Sequence, residues 1–325
     1  MKKVFSSLFA TLVAVFAFSA TAKTIFVIES YHEDYPWVKE YRKGLEHTLG
    51  SEHELVYFEM DTKRLADSDF TQRAAEAWAE LVSVSPDFVI VADDNALELL
   101  APKLNTLDQG YVFLGINGNP RHYGVNLSRN SGGVLERPEI RASIAQLQEV
   151  SPFNKVLIIS EKSTTSDTIL KYMLGGEIRS SIANVQVDFL EVKHFEDWKN
   201  LVMSADDSGY DAIFVGLYHA LKDSSEQPVN GNDVIQWTSQ NATTPLFALY
   251  DYAIGPDKAL GGLVLSGYDQ GVKAGQLTTN YFEGVKNAPL PVSTKNVAFI
   301  FSKTQMEKWQ LNIPEHLRTK VQWVD

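Results

Sequence analysis

The sequence predicts an α/β protein of two doubly wound parallel-sheet lobes, and three observations carry that expectation. Short apolar runs alternate with amphipathic helical windows along most of the chain. Several runs, such as Asp87–Ala92 and Lys155–Ser160, are almost continuously apolar, as strands covered on both faces of a parallel sheet are. The alternation is interrupted at residues 118–134 by a segment rich in Gly, Asn, Arg and Ser. That break divides the β-α units into two sets, which reads as a hinged clamp of two similar lobes.

The first 22 residues stand apart. Lys2 and Lys3 form a positive head, Val4 to Phe18 an apolar stretch, and Ala20-Thr21-Ala22 a small-x-small cleavage signal. This pattern reads as a secretory signal peptide cut after Ala22, too short and wrongly flanked for a membrane span. The 325-residue chain has no cysteine. An exported chain of this length without disulfides points to a bacterial periplasm, because its core is large enough to need no staples. The formal net charge of −12 becomes −14 without Lys2 and Lys3. That excludes nucleic acid as a partner, since phosphate-backbone binding needs a basic surface.

Taken in order, the first set of strands is expected at 24–29, 54–60, 87–92 and 111–116. Helices are expected between them at 38–49, 70–84 and 95–104. In 70–84, Phe70, Ala74, Ala77, Trp78 and Leu81 recur at helix spacing beside Asp69. The second set has strands at 155–160, 185–191, 211–216, 245–250 and 262–267, with helices at 138–150, 166–182, 195–205 and 231–241. A helix over 270–286 ends at Asn287-Ala-Pro-Leu-Pro291, where prolines stop it. A last strand at 296–301 and a short helix at 303–310 follow.

Open α/β sheets place ligand contacts at the carboxyl ends of their strands, and those ends give the candidate site. The richest is Ser30-Tyr31-His32-Glu33-Asp34-Tyr35-Pro36-Trp37, after the first strand. Tyr31, Tyr35 and Trp37 are candidates to wall a ligand, with Ser30 and His32 as hydrogen-bonding groups. The plainer alternative has Pro36 opening the next helix and Trp37 packing on its lobe. Asp93-Asp94-Asn95 follows the third strand; one member would cap the next helix and another would face ligand. Asn117 follows the fourth strand within a strong Asn-Gly turn signal. In the second set, Ser163, Thr164, Thr165 and Ser166 open a helix whose free N–H groups suit a carboxylate, though one of them is an ordinary cap. Tyr218 and Asp251 end two further strands, and Tyr268 lies near an expected crossing, as hinge or site residue.

Three motifs carry a family resemblance. They are the strand followed by Ser30 to Trp37, the segment Asn130-Ser-Gly-Gly-Val134, and Lys303-Thr-Gln-Met-Glu-Lys-Trp-Gln-Leu-Asn-Ile-Pro314. With them the mature chain resembles the type I periplasmic binding-protein fold. It is most similar to the ABC-transporter substrate-binding family associated with tryptophan or tyrosine uptake, close to the sensor-like branch found in histidine kinases and diguanylate cyclases. Gln310 or Leu311 stands where that family's closing motif has a glycine.

The resemblance implies three crossings between lobes, near 118–133, 266–270 and 288–295. Lobe 1 would be 23–120 plus 268–288, and lobe 2 would be 130–265 plus 293–325. It implies a periplasmic protein that captures a small polar or aromatic, amino-acid-like ligand by hinge closure and presents it to a membrane ABC permease. The alternative is a ligand-sensing adaptor for a membrane kinase, cyclase or chemoreceptor. The chain is expected to be monomeric, with no cofactor and no metal.

An enzyme is the remaining rival. Thiol chemistry is excluded by the missing cysteine, and no Gly-x-Ser-x-Gly elbow occurs. The histidines at 32, 47, 53, 122, 194, 219 and 316 contain no His-Glu-x-x-His pair. Carboxylates facing each other across the cleft would imitate a glycosidase pair, so a hydrolase is the less favoured reading. Arg121 is the one arginine near the expected loops, which argues against a multiply anionic ligand.

Overall fold

The computed structural model describes residues 21–127, 131–285, 291–293 and 297–325. The expected signal peptide, apart from Thr21 and Ala22, therefore lies outside the described residues, as does Asn130 of the second motif. The apolar runs of the first set form β1 (Thr24–Glu29), β2 (Glu54–Glu59), β3 (Phe88–Ala92) and β4 (Val112–Ile116), alternating with α1 (Pro36–Leu49), α2 (Phe70–Val84) and α3 (Asp94–Leu104). A further strand, β5 (Gly132–Leu135), follows.

The second set consists of α4 (Ile140–Leu147), β6 (Lys155–Glu161), α5 (Thr164–Met173), β7 (Arg179–Ile182), β8 (Val185–Val192), α6 (Phe195–Met203), β9 (Ala212–Val215), α7 (Gly231–Asn241), β10 (Leu246–Ala248) and β11 (Gly261–Val264). The chain then returns through α8 (Gly267–Phe282) and β12 (Val292–Ser293). It ends in β13 (Ala298–Phe301), α9 (Lys303–Lys308) and β14 (Val321–Trp323).

Among the described residues these strands make two sheets. One is six-stranded, ordered β12-β5-β4-β3-β1-β2, with every pairing parallel. The other is eight-stranded, ordered β14-β13-β11-β10-β9-β6-β8-β7, and antiparallel only at β11–β13 and β7–β8. The chain passes between the sheets after β5, after β11 and after β12. The doubly wound two-lobe expectation is thus borne out. No helix of the described residues is long and apolar enough to cross a membrane.

Two expectations need correction. The segment read as a crossing contains β5, which belongs to the first sheet, so the first passage lies after Leu135 and not within 118–133. Gly133 has a packing reason: a Cβ there would strike the Phe113 carbonyl and ring on β4. A glycine demanded by close approach of backbones looks, in sequence, like a linker glycine. The second correction concerns the helix expected over 166–182. It ends at Met173, and Gly175 and Gly176 follow at φ 71° and 82°, the left-handed stop that glycine supplies. The remainder is β7, joined to β8 through Ala183 and Asn184, both at positive φ, as tight hairpin turns require.

Two glycine-dependent features fix the frame. Gly44 of α1 and Gly271 and Gly275 of α8 face each other so closely that a Cβ on any of them would enter the opposite helix. At the closing motif Gln310 has φ 53°, the left-handed conformation that explains a glycine in the similar family.

Candidate ligand-binding cleft

The carboxyl ends of β3, β4 and β5 lie side by side, and each contributes a buried polar group. Their spacing is that of neighbouring strands, about 4.8 Å. Asp93 follows β3, and its N–H bonds the Leu114 carbonyl at 2.9 Å. Its backbone sits at φ 68°, ψ 166°, a region essentially reserved for glycine and costing roughly 1–3 kcal/mol. Trp37 Nε1 donates to Asp93 Oδ1 at 2.9 Å, whereas the buried Oδ2 has no partner among the described residues. Gly115 makes room for this arrangement: it has φ +70°, and a Cβ would lie 2.5 Å from Asp93 Oδ1. Burial pushes the Asp93 carboxyl well up, and the charges of Glu136 and Asp94 add to the push.

Asp94 is used differently. Its carboxylate accepts from the N–H groups of Asn117 and Gly118 at 3.0 and 2.8 Å, from Asn117 Nδ2 at 3.3 Å and from the Tyr123 hydroxyl at 2.8 Å. It ties the β3 and β4 ends together. Asn117 keeps a buried Oδ1 with no partner among the described residues.

Glu136 is the first residue after β5, with its N–H on the Ile116 carbonyl at 2.9 Å. It is 3% exposed, and burial pushes its carboxyl up to about 8, against hydrogen bonds from Tyr250 and Asn117 and with the Asp94 charge assisting. The Tyr250 hydroxyl, donated from the second lobe, lies 2.6 Å from Glu136 Oε1.

The second lobe supplies the facing wall. Ser163 caps α5 by accepting from the Ser166 N–H at 3.2 Å, a duty Ser performs well. Thr165 Oγ1 meets the Tyr31 hydroxyl at 2.8 Å, and Ser166 Oγ is buried with no partner. Tyr35 and Tyr252 join hydroxyls at 3.1 Å, while the Tyr35 ring packs 4.6 Å from His219. Tyr250 stacks on Tyr252 at 5.4 Å and meets the edge of Trp37 at 5.9 Å.

Between these rings runs an ion pair, Lys63 Nζ to Glu161 Oε1 at 2.7 Å. Lys63 is 6% exposed and Glu161 is 0% exposed. The ammonium also lies 4.7 Å and 4.9 Å from the Tyr31 and Tyr35 ring centres. Two grooves open beside this contact. One, of about 410 Å³, is lined by Lys63, Asn95, Lys162, Ser163 and Thr164 among others. The other, of about 560 Å³, is lined by His32, Tyr35, Arg64 and His219 among others.

The strand-end reasoning thus brings together Tyr31, Tyr35, Trp37, Asp93, Asp94, Asn117 and Thr165, with Ser166 next to Thr165 in the first turn of α5. Asn95 and Thr164 line the 410 Å³ groove, where Asn95 Nδ2 donates to Thr62 at 2.8 Å. Ser30 is structural: its hydroxyl donates to the Ala92 carbonyl at 2.8 Å and accepts from the Ala96 N–H at 2.9 Å. His32 lies at the outer groove, its Nδ1 3.0 Å from Asp61. Tyr218 is buried behind His219, stacked at 4.3 Å.

Asp251 accepts from the Tyr252 N–H at 2.8 Å. Burial pushes its carboxyl up to about 6, a Ser266 hydrogen bond opposes that, and its acidic neighbours are Glu40 and Asp269. It belongs to the passage into α8. Tyr268 sits on α8 against the His47 ring at 6.1 Å, outside the polar cluster. Glu136, Lys63 and Glu161 were not foreseen, nor was the choice of Tyr250 over Asp251. Among the described residues, no three His, Asp or Glu side chains are placed to hold a metal ion.

No family model and no curated relative matches the sequence. Solved structures do match in fold. An ABC domain from Streptococcus pneumonia in complex with L-Trp is 17% identical, with 93% of this chain and 99% of that chain covered and a TM-score of 0.67. A conserved domain protein from Vibrio cholerae is 17% identical over the same shares, with a TM-score of 0.68. A ligand-free, open substrate-binding protein with adhesive properties from Clostridium difficile is 12% identical, covering 94% and 99%, with a TM-score of 0.64. Two parallel-dominated sheets, three passages between them and these neighbours together give the chain the fold of the type I periplasmic solute-binding proteins.

Proposed function

We propose that this protein is a periplasmic solute-binding protein that captures a small, amino-acid-like ligand by closing its lobes and presents it to a membrane ABC permease. The observation that carries this reading is the set of buried, unpartnered polar atoms on both lobes: Asp93 Oδ2 and Asn117 Oδ1 on one, Ser166 Oγ on the other. Buried polar groups are nearly always hydrogen-bonded, so vacant ones at the ends of β3 and β4 and in the first turn of α5 support the reading that a solute's polar groups bind here. Trp37, Tyr31, Tyr35, Tyr250 and Tyr252 supply flat walls around them. Closure makes hydrogen bonds that join the lobes, Tyr31 to Thr165 at 2.8 Å and Tyr35 to Tyr252 at 3.1 Å. A ligand favours that state only by its differential affinity for it.

The test is a thermal-shift screen of amino acids, amines, sugars and small carboxylates, followed by small-angle scattering with the best stabiliser. The expected result is a higher Tm with one chemical class and a smaller radius of gyration on its addition. Absence of any stabilising solute would sink this reading.

A further inference from the structure

We propose that the group this cleft selects is a protonated amine, its ammonium seated on Asp93 Oδ2, Asn117 Oδ1 and the Glu136 carboxyl, so that amines bind whether or not they carry a carboxylate. The inference rests on the solute-binding reading above and names the chemistry of that same site. An ammonium has three N–H donors and accepts nothing. The ends of β3, β4 and β5 present three acceptors in a row. Asp93 Oδ2 and Asn117 Oδ1 are vacant, and Asp93 and Asn117 are 2% and 1% exposed. The Glu136 carboxyl is held by the Tyr250 hydroxyl at 2.6 Å.

Charge accounting leads to the same group. Three carboxyls, Asp93, Asp94 and Glu136, are buried at this end of the cleft. The basic side chains facing them are Lys63 and Arg137; the first is neutralised by another carboxylate, and the second offsets one of the three charges. Lys63 is bound to Glu161 at 2.7 Å. The Arg137 guanidinium donates to the carbonyls of Ile116, Glu136 and Gly118 at 2.7, 2.6 and 2.9 Å.

Asp94 is satisfied by its four donors. Asp93 has only Trp37 as donor. Buried carboxylates without a counter-charge take up protons instead, and the upward shifts of Asp93 and Glu136 follow that rule. One guanidinium among three buried carboxyls leaves the cluster short of positive charge, and an ammonium brought by the ligand would supply it. The strained backbone of Asp93, at φ 68° and ψ 166°, is the kind of cost that proteins carry at binding positions.

A panel tests this directly. The Tm is measured with amines (tyramine, putrescine), with amino acids (tyrosine, tryptophan, arginine), with the des-amino acids 4-hydroxyphenylpropionate and indole-3-propionate, and with ribose. Stabilisation confined to solutes carrying an amine is expected. A des-amino acid or ribose that stabilises as well as any amine overturns this inference and leaves solute binding standing. A panel in which nothing stabilises overturns both.

The best-binding amine is then titrated calorimetrically at pH 7 in two buffers of different ionisation enthalpy. Amine binding should release protons to the buffer. Glu136→Gln should reduce that release and weaken binding at least tenfold, and Asp93→Asn should weaken it similarly. Wild-type affinity and proton count in both folded variants would refute the seat. The ligand panel on the wild-type protein decides the matter even if a variant fails to fold.

Discussion

The Lys63–Glu161 pair predicts how firmly the cleft is held shut. Lys63 reaches from the loop after β2 and Glu161 ends β6, so the 2.7 Å bond joins the two lobes. Glu161 Oε2 also accepts from the Ala220 N–H at 2.5 Å. Replacing Lys63 by Met keeps most of the stem's packing between Tyr31 and Tyr35 but leaves Glu161 buried without its cation. Breaking a buried pair in this way costs about 3–5 kcal/mol, and the lost cation–π contacts add roughly 0.5–2 kcal/mol. The lobes can escape that cost by opening, which lets water reach Glu161.

A shift of about 3 kcal/mol changes the closed-to-open ratio roughly a hundredfold. Small-angle scattering on the unliganded protein reads this: Lys63→Met should have the larger radius of gyration. The double variant Lys63→Met/Glu161→Gln, which removes the stranded charge yet keeps the Ala220 bond, should return most of the way to wild type. Equal radii for wild type and Lys63→Met would refute the view that this pair holds the lobes together.

Two further outcomes follow from the same cleft. Asp93→Gly relieves a backbone that only glycine adopts freely, at φ 68° and ψ 166°. Both Asp93→Gly and Asp93→Ala lose the Trp37 bond, so urea unfolding should show the glycine variant more stable than the alanine one by about 1 kcal/mol or more, while calorimetry shows loss of amine binding in both. The second outcome concerns pH. Burial raises the folded carboxyl of Glu136 from its ordinary value of 4.5 to about 8. Between those values the folded state holds a proton that the unfolded chain has released, so its contribution to stability falls as pH rises through that window. Each unit of that shift is worth about 1.4 kcal/mol at most. Tm should therefore decline from pH 5 to 8 more steeply in wild type than in Glu136→Gln, and parallel curves would contradict the assignment.

Much of this architecture can be read from the sequence, because a parallel strand covered on both faces must be apolar throughout. β1, β3, β4 and β6 declare themselves that way. β5 does not: Gly132-Gly133-Val134-Leu135 carries two glycines, one of them required by the close approach of Phe113. Losing that strand also hid Glu136, since a carboxylate is conspicuous only once its strand end is known. The Gly175-Gly176 pair was a stop signal inside the overlong helix, legible in principle.

At the site, topology named the right strand ends but not the division of labour among adjacent residues. Asp93 and Asp94 look equivalent in sequence. One has four donors from the β4 end and Tyr123, and the other has a vacant oxygen. Only the turn geometry, a positive φ at Asp93, separates them. Lys63 with Glu161 was out of reach, because neither sequence neighbourhood reveals a partner 98 residues away.

The glycine contact between α1 and α8 has a mechanical consequence. Where Gly44 and Gly271 meet the opposite helix, main chain rests on main chain, and no rotamer can change to absorb a displacement. The two helices therefore move as one beam. α8 begins at Gly267, directly after the chain leaves β11 at Val264, and α1 begins at Pro36 in the aromatic loop that walls the cleft. Leu265 is still paired with the second sheet, so a rotation between the lobes at Ser266 would carry Tyr35 and Trp37 with it, like a lever short at the pivot and stiff along its length.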